Sequence, residues 1–173
     1  MTGPKALLTA GLFALGLASA AGRGQDPVPA AQQAEVPLVK NVAVPGAAGW
    51  VDTGLDVAAG EEIVIRASGE VSLQLGNPAA ACGPAGLDML TVDQPVPKEN
   101  LGALIGKVSQ FVASRVDEDM GAEVRDEIFV LFIIGAERTV RVPFKGRLYL
   151  GVNEKVIRDN GGEFAAVVSR GPA

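Results

Sequence analysis

Asn153, Glu154, Asp159 and Asn160 stand together in the run N-E-K-V-I-R-D-N-G-G near the end of the chain. Their carboxylates and amides are oxygen donors. A hard cation such as calcium takes about six to eight oxygens, drawn from such side chains and from backbone carbonyls. Asp159 and Asn160 are adjacent, and Gly161-Gly162 lets the backbone turn sharply after them. The same D-N-G-G is also ordinary hairpin-turn material, so the residues alone leave a metal loop and a plain turn both open. They do not form an EF-hand loop, because no acids fall at alternate positions before a glycine.

Two strands must position this loop. Before it, Gly146 to Val152 alternates, with Leu148, Leu150 and Val152 on one face and Tyr149 and Gly151 on the other. After it, Glu163 to Ser169 reads as the return strand. Upstream, strands are predicted over Leu38 to Val44, Trp50 to Val57 and Glu61 to Ala67. Ser68-Gly69 reads as a turn, followed by a half-buried strand with Val71, Leu73 and Leu75 on one face. Gly76 to Asn100 is the longest irregular stretch, and such loops in compact domains are functional or disordered. Leu101 to Val108 reads as a strand whose Gly102 and Gly106 permit close approach of another backbone. The charged stretch Ser109 to Asp126 reads as an extended hairpin or a short helical excursion. Ile128 to Ile134, apolar on both faces, is expected to be the best-buried strand, and Thr139 to Val142 alternates again. About ten short strands punctuated by 22 Gly and 11 Pro predict an all-β fold, an antiparallel β-sandwich or jelly roll.

Composition narrows the function. The chain has 173 residues, 48 % of them apolar and 20 % charged, enough for one domain with a sizeable core. The net charge is −5, with one Trp and one Tyr, so no basic stripe interleaved with stacking aromatics is available for nucleic acid. The chain has no histidine and one cysteine. That removes Ser-His and Cys-His catalysis, His-ligated zinc and a thiolate cage. The acids of the long stretch, Asp88, Asp93 and Glu99, match no catalytic spacing. A non-enzymatic protein is expected.

The N-terminus reads as a cleaved signal peptide over residues 1–20. Lys5 supplies the positive segment, Ala6 to Leu17 the apolar core and Ala18-Ser19-Ala20 the small-x-small cleavage site. The apolar run is too short for a comfortable membrane span. Loss of Lys5 takes the charge from −5 to about −6. Residues 21–37, rich in Ala, Gln, Gly and Pro, read as a flexible leader, and 38–170 as the domain. A periplasmic or secreted protein is expected. Its lone Cys82, set after Ala79-Ala80-Ala81, reads as a buried thiol, with an intermolecular bridge as the alternative.

The order of these pieces resembles the PA-IL-like bacterial lectin family. The resemblance is carried by W-V-D-T-G-L-D-V-A-A-G-E-E-I-V-I-R-A-S-G, C-G-P-A-G-L-D, G-A-L-I-G-K-V and G-R-L-Y-L-G-V-N-E with D-N-G-G-E-F, and covers most of Trp50 to Val168. It implies a jelly-roll sandwich that binds galactosides through calcium. It sets Glu154 where the family has a calcium-binding Asp, and Asp159 and Asn160 where it has two ligating Asn residues. It adds a backbone carbonyl near Leu73. Sugar hydroxyls would complete the calcium shell beside Asn153, Glu154 and Asp159. This chain departs from the family pattern in its shorter 154–159 loop, its lack of the ligating threonine and of the galactose-contacting histidine, and the insertion Ser109 to Asp126. Two readings stay open: a calcium-dependent glycan-binding module, or an exported sandwich for structure or protein contacts, with calcium stapling a loop or absent. An oligomer is compatible with either.

Overall fold

The computed structural model describes residues 39–117 and 121–170. The expected signal peptide and leader lie outside the described residues. Among the described residues eleven strands follow one another: β1 (Val39–Pro45), β2 (Val51–Val57), β3 (Glu62–Ser72), β4 (Ala81–Cys82), β5 (Leu87–Leu90), β6 (Asn100–Leu101), β7 (Leu104–Asp117), β8 (Ala122–Ile133), β9 (Glu137–Arg141), β10 (Gly146–Val152) and β11 (Gly161–Arg170). The described helical structure is one 3-10 turn, Pro78–Ala80, capped by the Asn77 side chain. Among the described residues no helix is long and apolar enough to cross a membrane.

All pairing is antiparallel. One sheet runs β1-β11-β3-β4, with β9 also on β3, and the other runs β2-β10-β7-β8. β5 and β6 form a small ribbon. Period-two alternation turns Val42 and Val44 of β1, Ile63 and Ile65 of β3, and Phe164, Ala166 and Val168 of β11 inward. They meet Leu148, Leu150 and Val152 of β10 and Leu104 and Val108 of β7 in one core. This is the expected all-β sandwich. Central position in its sheet fixes β10, and through it the start of the candidate loop.

Several local expectations are corrected. β3 runs unbroken through Ser68-Gly69, where a turn was expected. Gly69 has φ +96°, and a Cβ there would lie 2.6 Å from the Glu163 carbonyl, so this glycine serves close strand approach. Leu75, expected inward, is 76 % exposed because β3 ends at Ser72. The Ser109 to Asp126 stretch is an extended hairpin: β7 and β8 stay paired from Ile105↔Ile133 to Asp117↔Ala122, with a register shift between Phe111 and Ala113. Ile128 to Ile134 is not the best-buried strand. β8 is a sheet edge, and Ile128 and Phe129 are more than half exposed. Gly102 and Gly106 do sit at close approaches, but side chains make them: Cys82 Sγ and Leu73 against Gly102, and the Phe132 ring against Gly106. Cys82 is buried, as expected, and burial followed by the charges of Glu154 and Glu70 pushes its thiol up.

Candidate functional site

β10 ends at Val152, and the next residue is fully buried. Asn153 continues the backbone ladder, donating its N–H to the Ala103 carbonyl at 2.8 Å and accepting from Gly102 N–H at 3.1 Å. Its side chain serves the 93–100 loop. Oδ1 accepts from Val96 N–H at 2.9 Å, and Nδ2 donates to the Val96 and Asn100 carbonyls at 3.1 and 3.2 Å. Asn153, expected beside ligand, is thus engaged in anchoring a loop.

The turn after it is clasped to the same loop. Lys155 N–H donates to Gln94 Oε1 at 2.9 Å, and Lys155 Nζ pairs with Asp93 at 2.8 Å. At its far end, Leu75 N–H donates to the Asp159 carbonyl at 2.8 Å. That bond sets the Leu73–Leu75 backbone alongside Asp159 and Asn160, continuing the Ser72↔Gly161 register. The turn closes on Gly162, which has φ +72° and no room for a Cβ against the Glu70 carbonyl.

Glu154 and Asn160 meet directly. Asn160 Nδ2 donates to Glu154 Oε2 at 2.7 Å and to the Gly46 carbonyl at 3.1 Å. Asn160 is buried, and its Oδ1 has no partner among the described residues. Burial pushes the Glu154 carboxyl above the ordinary glutamate range. The Asn160 amide pulls it back, and the charge of Asp159 pushes it up again. The Asp159 side chain is exposed, and Leu73 turns its side chain into the core while its N–H bonds Ala80 O at 2.9 Å. Among the described residues there is no group of three His, Cys, Asp or Glu side chains. The oxygens gathered here come instead from one carboxylate, one amide and backbone carbonyls. The Gly46 carbonyl is a partner that no sequence signal marks.

The described chain aligns in space with the N-terminal domain of EclA, a PllA-like lectin, at TM-score 0.53 and 21 % identity, over 78 % of this chain and 98 % of that one. The fold is a PllA-like lectin fold. No protein-family model and no curated protein matches the sequence. The expected PA-IL-like architecture is therefore present, and the lectin fold carries the 153–160 loop where β10 passes into β11.

Proposed function

We propose that the protein is an exported, calcium-dependent carbohydrate-binding module and not an enzyme. The observation that carries the calcium reading is the unpartnered, buried Asn160 Oδ1 beside a desolvated carboxylate. A buried amide oxygen without a donor is costly, and a cation is one partner that removes the cost. The donor chemistry fits: the Glu154 carboxylate, the Asn160 amide oxygen and the carbonyls of Gly46 and Leu73 are oxygen donors, and Asp159 would add a second carboxylate from the solvent side. When bound, calcium would offer open coordination positions to ligand hydroxyls.

The residues themselves have separate tasks in this reading. Glu154 and Asn160 hold the cation. Asp159 faces solvent and reaches ligand as well as metal. Asn153 orients the turn by locking its neighbour loop. Export rests on the signal-like residues 1–20, and the glycan reading on the likeness to a lectin. One observation favours the structural alternative. The Asn160 amide already bridges Glu154 and Gly46, so the turn is closed without metal.

The calcium part is tested by thermal melting. Calcium binding to the native state raises the melting temperature by mass action. Asp159→Ala should abolish that rise while leaving the metal-free protein nearly unchanged. An equal calcium response in wild type and variant would move the metal away from this loop.

A further inference from the structure

A small cleft is lined by Trp50, Pro95, Gly151, Glu154, Lys155 and Ile157. The indole is held in place. A Cβ on Gly151 would lie 3.1 Å from Trp50 Cε3 and 3.2 Å from Cζ3, so the missing side chain lets the ring rest close on β10. Lys107 Nζ sits 5.2 Å from the Trp50 ring centroid and 4.9 Å from that of Tyr149. It is anchored by Glu127 at 3.3 Å, which in turn accepts a hydrogen bond from Ser109. Trp50 nevertheless remains 37 % exposed. A fixed but open indole is a contact surface whose ordering cost is already met.

We propose that this cleft binds one ring of a saccharide, with the sugar's C–H face on the Trp50 indole and its hydroxyls donating to Glu154. The inference rests on the carbohydrate-binding reading and assigns it a contact that the calcium loop lacks. The chemistry selects the ligand class. A pyranose has an apolar face of C–H groups and a polar rim, and the cleft's lining joins Trp50, Pro95 and Ile157 to the Glu154 carboxylate. Glu154 Oε2 is taken by Asn160, while Oε1 has no protein donor among the described residues. Glu154 belongs to both the cleft and the calcium loop. A glycan longer than one ring can engage both, which supplies the affinity that a shallow site with no histidine lacks.

Trp50 is the chain's one tryptophan, so its emission reports this cleft alone. Galactose, mannose and fucose, and a disaccharide of each, are titrated into calcium-loaded protein while emission and heat of binding are followed together. The expected result is a saturable change in Trp50 emission with the same midpoint as the calorimetric curve. Trp50→Ala should weaken binding roughly tenfold, and Trp50→Phe should recover part of it, with the calcium-induced rise in melting temperature kept in both. That retained rise shows that the variants fold. Calorimetric binding with silent emission and an unaffected Trp50→Ala would overturn the cleft while leaving the carbohydrate reading intact. Absence of binding by both methods, with calcium bound, would overturn both.

Discussion

Replacing Asn153 by Ala tests whether the loop before the site is set from β10. The change removes three side-chain hydrogen bonds, to Val96 N–H, Val96 O and Asn100 O, from a fully buried position. Each such bond contributes about 0.5–1.5 kcal/mol net, and orphaned buried partners cost more. Val96 and Asn100 are half-buried, so water recovers part of the loss. The expected destabilisation is about 2–3 kcal/mol. For a domain of this size that is a fall in melting temperature of roughly 6–12 °C. Asn153→Asp refines the test. The carboxylate keeps the acceptor for Val96 N–H but faces two carbonyls where the amide donated. Its folded pKa should rise above the unfolded value, so its penalty is absent below about pH 4 and full once the pH has passed the folded pKa. Asn153→Asp should therefore be worse than Asn153→Ala at neutral pH and recover on acidification. Differential scanning calorimetry gives the stabilities, and hydrogen exchange at the Val96 amide gives the local effect. A melting temperature within about 2 °C of wild type, with Val96 exchange unchanged, would refute the reasoning.

Other outcomes follow from charge. Glu154 is raised mainly by burial, so its ionisation opposes folding above the folded pKa and is neutral to stability below the unfolded one. Without calcium, Glu154→Gln should be more stable than wild type at pH 7, with the difference vanishing below about pH 4. In calcium the order should reverse, and chemical denaturation under both conditions checks it; an unchanged order contradicts a carboxylate role at the metal. Glu127 is held low, first by the Ser109 hydroxyl, and also by the hydrogen bond and charge of Lys107. Its contribution is present above the unfolded pKa and lost as pH falls through the folded one. Carboxyl carbon NMR should show Ser109→Ala and Lys107→Ala each raising the Glu127 pKa, and an unmoved pKa in Ser109→Ala would remove the hydroxyl from the account of its depression.

The parts of the fold that were legible are those with a simple period. Leu148, Leu150 and Val152 alternate with Tyr149 and Gly151, and β10 lies where that alternation puts it. Burial cannot be read from apolarity alone: Ile128 to Ile134 is apolar on both faces, yet its strand is an edge. Gly69 read as a turn because glycine punctuates chains, whereas the structure uses its missing Cβ to admit the β11 backbone. In the site, Glu154 and Asn160 were legible as oxygen donors close in sequence, and they do meet. Asn153 reads the same way by residue type, but its direction depends on a loop some 50 residues earlier, which no local pattern encodes. The Gly46 carbonyl and the Trp50 wall are brought in by sheet topology, so they had no signal next to the loop.

The central claim, that this lectin fold binds glycan through calcium, is tested most directly by calorimetric titration of galactose, mannose, fucose and longer glycans, first in calcium and then in chelator. Binding is expected in calcium and should disappear in chelator. Monosaccharides should bind at about millimolar affinity or weaker, because each polar contact missing from the site costs about tenfold. Galactose should hold no strong preference over the other hexoses. Failure to bind any of these glycans, with calcium demonstrably bound, would contradict the claim and leave a calcium-stapled structural sandwich in its place.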